Sequence, residues 1–174
     1  DRGVIMQRYV EAPGELEELP RPIIFLAGGI TNCIDWQRVA VDTLNRTLGP
    51  DDALTICNPR RSVFDVSNPH AAQDQITWEW KALRLADIRL FWFPACNPDE
   101  TVQPIALFEL GRWSAQPGRL IVGADSSYPR VRDIQLQLDL ERPTLAIHAT
   151  LAGVLLEAID AIRAWPHEGE LCTD

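Results

Sequence analysis

Short apolar runs closed by glycine, proline or polar residues alternate along the chain with longer stretches whose apolar residues return every three or four positions. PIIFLAGG, from Pro22, is too short for a helix and ends on two glycines, as a buried strand entering a tight turn does. DWQRVAVDTLNRTL follows with Trp36, Val39, Leu44 and Leu48 near helical spacing, and Asp35 stands where a helix start favours an acid. ALTIC is a second strand, stopped at Pro59, which cannot continue a central ladder. AAQDQITWEWKALRLAD then predicts a helix with Ile76, Trp80 and Leu83 on its apolar face, and IRLFWFP a third buried strand ended by Pro94. After the polar loop ACNPDETVQ, Pro104 opens a helix running to about Gln116; GRLIVGAD is a fourth strand and SYPRVRDIQLQLDL a fourth helix. PTLAIHA holds a short fifth strand, and TLAGVLLEAIDAIRAW a helix with Thr150 as its N-cap.

Strands alternating with helices predict one mostly parallel sheet of about five strands, covered on both faces and joined by right-handed crossovers. Residues 1–21, rich in Glu, Pro and Gly, read as an extended arm, and residues 22–174 as a single domain without internal repeats. Ligands of such sheets bind beyond the carboxyl ends of the strands. The segments AGGITN, NPRR, PACNPDETVQP and ADSSYP lie at that rim.

Composition narrows the partners. A formal net charge of −9 over 174 residues repels polyanions, which argues against nucleic-acid polymers and anionic membranes while leaving room for a small anionic ligand beside Arg60 and Arg61. No apolar run is long enough to span a bilayer and no secretory signal opens the sequence, so a soluble cytoplasmic protein is expected. The four cysteines are widely spaced with no CxxC, and the three histidines cluster with nothing, so neither a zinc site nor a disulfide scaffold is expected; buried, reduced thiols are.

Several rim residues have both a chemical and a structural use. The turn formed by Ala27, Gly28 and Gly29, with Thr31 and Asn32 behind it, either brings backbone amides up to a phosphate or ribose or is a tight strand-to-helix turn; it has neither GxGxxG nor P-loop spacing. Arg60 and Arg61 suit bidentate pairing to a carboxylate or phosphate, or closure of a loop through Asp65 or Glu79. Phe91, Trp92 and Phe93 belong to the core, whereas Trp78 and Trp80 could offer a ring to a base. Glu79 and Glu109 stand on helices where apolar sequence meets polar. Two carboxylates in one partly dry cleft push each other's pKa values apart, which is what breaking a glycosidic bond requires; exposed helix-edge glutamates are the plainer alternative. Asp87, at a strand start, reads as structural.

IIFLAGGI, NPRR, QITWEWKALRLADIRLFWFP and PIALFELG resemble, in order and spacing, the nucleoside 2-deoxyribosyltransferase-like family over roughly Pro22 to Gly123. The resemblance implies a flavodoxin-like (Rossmann-like) fold, assembly into homodimers or larger homo-oligomers, and cleavage of the N-glycosidic bond of a small-molecule nucleoside or nucleotide without metal or redox cofactor, the sugar passing to another base or to water. It gives Glu109, in the ELG block, the role of nucleophile, and Glu79, eight residues before Asp87, the handling of the base's proton. The glycine turn would border the sugar or a 5′-phosphate. Gln103 departs from the pattern, because the family carries an acid six residues before the nucleophile to hold the sugar hydroxyls. That departure gives weight to a catalytically silent nucleotide-binding or sensing module; a purely structural protein of the same fold is a further alternative.

Overall fold

The computed structural model describes residues 7–49 and 51–166. Six strands, β1 (Gln7–Glu11), β2 (Ile23–Gly28), β3 (Leu54–Asn58), β4 (Ile88–Phe93), β5 (Arg119–Ala124) and β6 (Ile147–His148), form one all-parallel sheet in the order β1-β3-β2-β4-β5-β6. Five helices connect them: α1 (Trp36–Thr47), α2 (Ala71–Leu85), α3 (Pro104–Ser114), α4 (Val131–Glu141) and α5 (Leu151–Arg163). The arrangement is α/β and flavodoxin-like, with six strands where five are expected. The sixth is β1: residues 7–11, expected in the arm, pair with β3 along its outer edge. Its burial explains why the pattern hid it, since only Val10 of the five is buried.

Each inner strand is apolar along its length because helices cover both faces. Trp78, Ala82, Leu83, Ala106, Leu110, Ile134 and Leu138, from α2, α3 and α4, pack on one side against Phe25, Phe91 and Phe93. On the other side Trp36, Ala40 and Leu44 of α1 and Val154, Leu155, Ala158 and Ile159 of α5 pack against Ile24, Ile56, Leu90 and Trp92. Glu79 and Glu109 therefore ride on neighbouring helices of one face.

Local rules hold at several points. The Asp35 side chain accepts from Arg38 N at 3.1 Å and Thr150 from Gly153 N at 3.1 Å, each capping its helix. Asp87 pairs with Arg21 and accepts from Ile23 N at 2.8 Å, fixing the start of β2 as a structural acid does. Two helix phases differ from expectation. Val39 is half exposed, and the buried stripe of α2 is Ala71, Trp78, Ala82 and Leu83, leaving Ile76 66% and Trp80 49% exposed. Ile76 turns to the cleft described below, and Trp80 packs under the Arg84 guanidinium, 4.7 Å from its ring centre. Among the described residues Cys33, Cys57 and Cys96 are free; only Cys57 is fully buried, and burial pushes its thiol up to about 12. Cys172 and His167 lie outside the described residues.

Candidate active site

The connection from β2 through α1 leads outward to β3, and the connection from β3 through α2 returns across β2 to β4. Strand order reverses there, which opens a crevice at the carboxyl ends of β2 and β4. A cleft of about 850 Å³ occupies it, bounded by the β2–α1 turn, the loop after β3, and one stripe each of α2 and α3. Ala27, Gly28, Gly29, Thr31, Arg60, Arg61, Glu79, Gln103 and Glu109 all border it, so nearly every rim residue singled out in the sequence meets in one place. Asn32, exposed and in the left-handed region (φ 55°), does not border it.

The turn after β2 is tight for internal reasons. Gly28 has φ +148°, and a Cβ there would overlap the Trp92 carbonyl oxygen; one at Gly29 would overlap Gln103 and Cys33 Sγ. The Gly29 carbonyl accepts from Trp36 Nε1 at 3.0 Å. Arg60 closes the turn from across the cleft: its Nε donates to Gln37 Oε1 (3.0 Å) and lies 3.3 Å from Asp35, and its Nη2 donates to the carbonyls of Ile30, Cys33 and Ile34 at 3.0–3.3 Å. Arg60 thus closes a loop, through Asp35 rather than Asp65 or Glu79.

Arg61 is placed differently. Its guanidinium lies over the Phe64 ring, 5.1 Å from the centre, and its Nε and Nη2 are shut off from solvent without donating a hydrogen bond among the described residues. The turn that carries it is held from both sides. Asn58 Oδ1 accepts from Arg60 N, the Pro59 carbonyl accepts from Gln75 Nε2 at 2.7 Å, and Glu11 Oε1 accepts from Ser62 N and Oγ at 2.5 and 2.7 Å.

Ala72, Gln75, Ile76 and Glu79 form the α2 stripe, and Ile105 and Glu109 face them from α3. Burial pushes the Glu79 carboxyl up, while the Gln75 Nε2 bond to Oε1 (2.7 Å) and the Arg61 charge pull against it. Burial and then the Glu79 charge push Glu109 up to about 8, with Arg112 opposing weakly; among the described residues its carboxyl accepts no hydrogen bond. Two such groups titrate as a pair, and the charge on the one that ionises first holds the proton on the other to higher pH. Gln103, 4% exposed and left-handed (φ 55°), donates Nε2 to the Pro94 carbonyl at 2.9 Å and leaves Oε1 beside Gly29 without a partner.

Trp78 and Trp80 do not reach the cleft. Trp78 is buried, with Nε1 donating to the Gly14 carbonyl, and both border a separate hollow between residues 13–17 and the far side of α2. Phe64 borders the cleft as an exposed ring, beside the buried Phe25, and the sequence reading missed it along with Gln75 and Glu11. A signal existed: Val63, Phe64 and Val66 are apolar residues in a polar loop with no core position to fill, and all are exposed. Among the described residues no helix is long and apolar enough to cross a membrane.

Comparison with curated protein sequences returns no match. Residues 21–128, which carry the glycine turn, both arginines, Gln103 and both glutamates, match the family described as nucleoside 2-deoxyribosyltransferase like. With well over half its length inside that match and a flavodoxin-like sheet to carry it, the chain belongs to the nucleoside 2-deoxyribosyltransferase-like family.

Proposed function

We propose that the protein cleaves the N-glycosidic bond of a nucleoside or nucleotide, passing the sugar to a second base or to water through a glycosyl ester on Glu109. The observation that carries this reading is the pair of half-buried carboxyls, Glu79 and Glu109, raised above their ordinary values and facing one cleft. In the reactive arrangement the proton held on Glu109 passes to Glu79, and the Glu109 carboxylate attacks the anomeric carbon as the carbon–nitrogen bond breaks. The bonding pair leaves with the base, which takes the Glu79 proton. Water or an incoming base then attacks the same carbon, Glu79 accepts its proton, and the ester opens to return Glu109 as a carboxylate. Inversion at each step leaves the configuration retained, and no step asks for a metal or redox group.

A silent binding module is the second reading, favoured by Gln103: a neutral amide stands where an acid that grips sugar hydroxyls would be. Incubation with ribo- and deoxyribonucleosides and their monophosphates, with and without an acceptor base, separates the two. Free base, or exchanged base when an acceptor is present, is the expected result. Ligand-dependent rises in melting temperature with no base released from any substrate would overturn the enzymatic reading.

A further inference from the structure

We propose that the cleft takes a ligand with a phosphate ester on its sugar and that the Arg61 guanidinium recognises it, an inference that rests on the glycosidic reading for the rest of the substrate. The two adjacent arginines are not equivalent. Arg60 is spent on Asp35, Gln37 and the carbonyls of the β2–α1 turn. Arg61 borders the same cleft, and two of its donor nitrogens have no protein partner among the described residues, a condition that folded proteins rarely leave unmet. Glu11 and Glu79 lie near enough for the Arg61 charge to act on both carboxyls, but neither bonds its Nε or Nη2. Phe64 lies under the guanidinium, and the Nε–Nη2 edge, covered in this conformation, carries two parallel donors that match two oxygens of one phosphate once the side chain turns toward the cleft. Nucleobases are neutral near pH 7, so within this substrate class the anion is the phosphate on the sugar. A chain of net charge −9 repels such a ligand at long range and needs a local cation to hold it.

The test uses the full chain, with Arg61→Met and Arg61→Lys beside it and unliganded melting curves to show that both fold. Ribose 5-phosphate at millimolar concentration should raise the melting temperature of the parent and ribose should not; Arg61→Met should lose the shift and Arg61→Lys keep part of it. In base-release assays kcat/KM should favour the monophosphate over its nucleoside by about tenfold or more, and Arg61→Met should bring that ratio near one. A shift that survives in Arg61→Met, or a parent that prefers the nucleoside, overturns the proposal. An Arg61-dependent shift with no base release from either substrate supports phosphate recognition at Arg61 while removing the glycosidic reading.

Discussion

In the β2–α1 turn, Trp36, Gln37 and the carbonyls of Gly29, Ile30, Cys33 and Ile34 all have protein partners, several of them supplied by Arg60 reaching over from the turn after β3. At Arg61, on α2 and at the start of α3, partners run out. Of the five buried polar side-chain atoms without a hydrogen bond among the described residues, four belong to Arg61, Gln75 and Gln103 there. Proteins rarely leave buried polar groups unpaired, and under the proposed function a ligand completes the bonding there. On that reading the finished wall of the cleft is architecture and the unfinished wall serves the chemistry.

Substitutions can break that division. Glu109→Ala, on the unfinished wall, should lower base release by at least about 10³-fold while far-ultraviolet circular dichroism and the melting temperature hold, as loss of a covalent nucleophile does; a variant with near-parental turnover removes Glu109 from the mechanism. Arg60→Met, on the finished wall, should strip the turn's carbonyls of their donor and cost about 3 kcal/mol, or about 6–12 °C in melting temperature. A melting temperature within about 2 °C of the parent would mean that the clamp is not structural.

Glu109 also separates the walls by pH. Its folded pKa, about 8, lies above the ordinary 4.5, so the folded state holds the proton more tightly. That contribution to stability is complete below about 4.5 and is lost as pH rises through about 8. Glu109→Gln keeps the neutral form at every pH and should therefore melt a few degrees above the parent at pH 9 and level with it near pH 4.5. Base release by the parent should fall over the same alkaline limb, as the pair loses its last proton. A gain that is flat across pH would show that Glu109 is not the group that titrates. Smallest of all, Trp80→Ala on the outer face of α2 should change stability by no more than about 0.5 kcal/mol and base release not at all, since its ring is half exposed and outside the cleft. A drop in turnover would bring that face into the site.

What the sequence discloses follows the same line. Strands buried on both faces and the apolar stripe of α5 announce themselves because burial selects apolar side chains, and the caps Asp35 and Thr150 because they act on amides three residues away. Strand β1 carries too little buried surface for a pattern. Ile76 and Trp80 misled because apolar residues also face clefts and pack under arginine stems, where spacing alone gives the wrong phase. Glu79 and Glu109 were placed by local sequence at a helix edge, and resemblance alone gave them roles. The difference between Arg60 and Arg61 was out of reach: the partners of Arg60 lie 23 to 30 residues away in the chain, and what distinguishes Arg61 is bonds it does not make.

Strand β1 has one neighbour in the sheet, so its amides rank among the readiest to open to solvent. Through Glu11 and Ser62 it is nevertheless fastened to the turn that carries Arg61. A ligand that stills that turn should slow deuterium uptake along residues 8–11, on the outer edge of the sheet. An edge strand that adds little to the core would thereby serve as a built-in gauge of occupancy, readable without labelling the cleft itself.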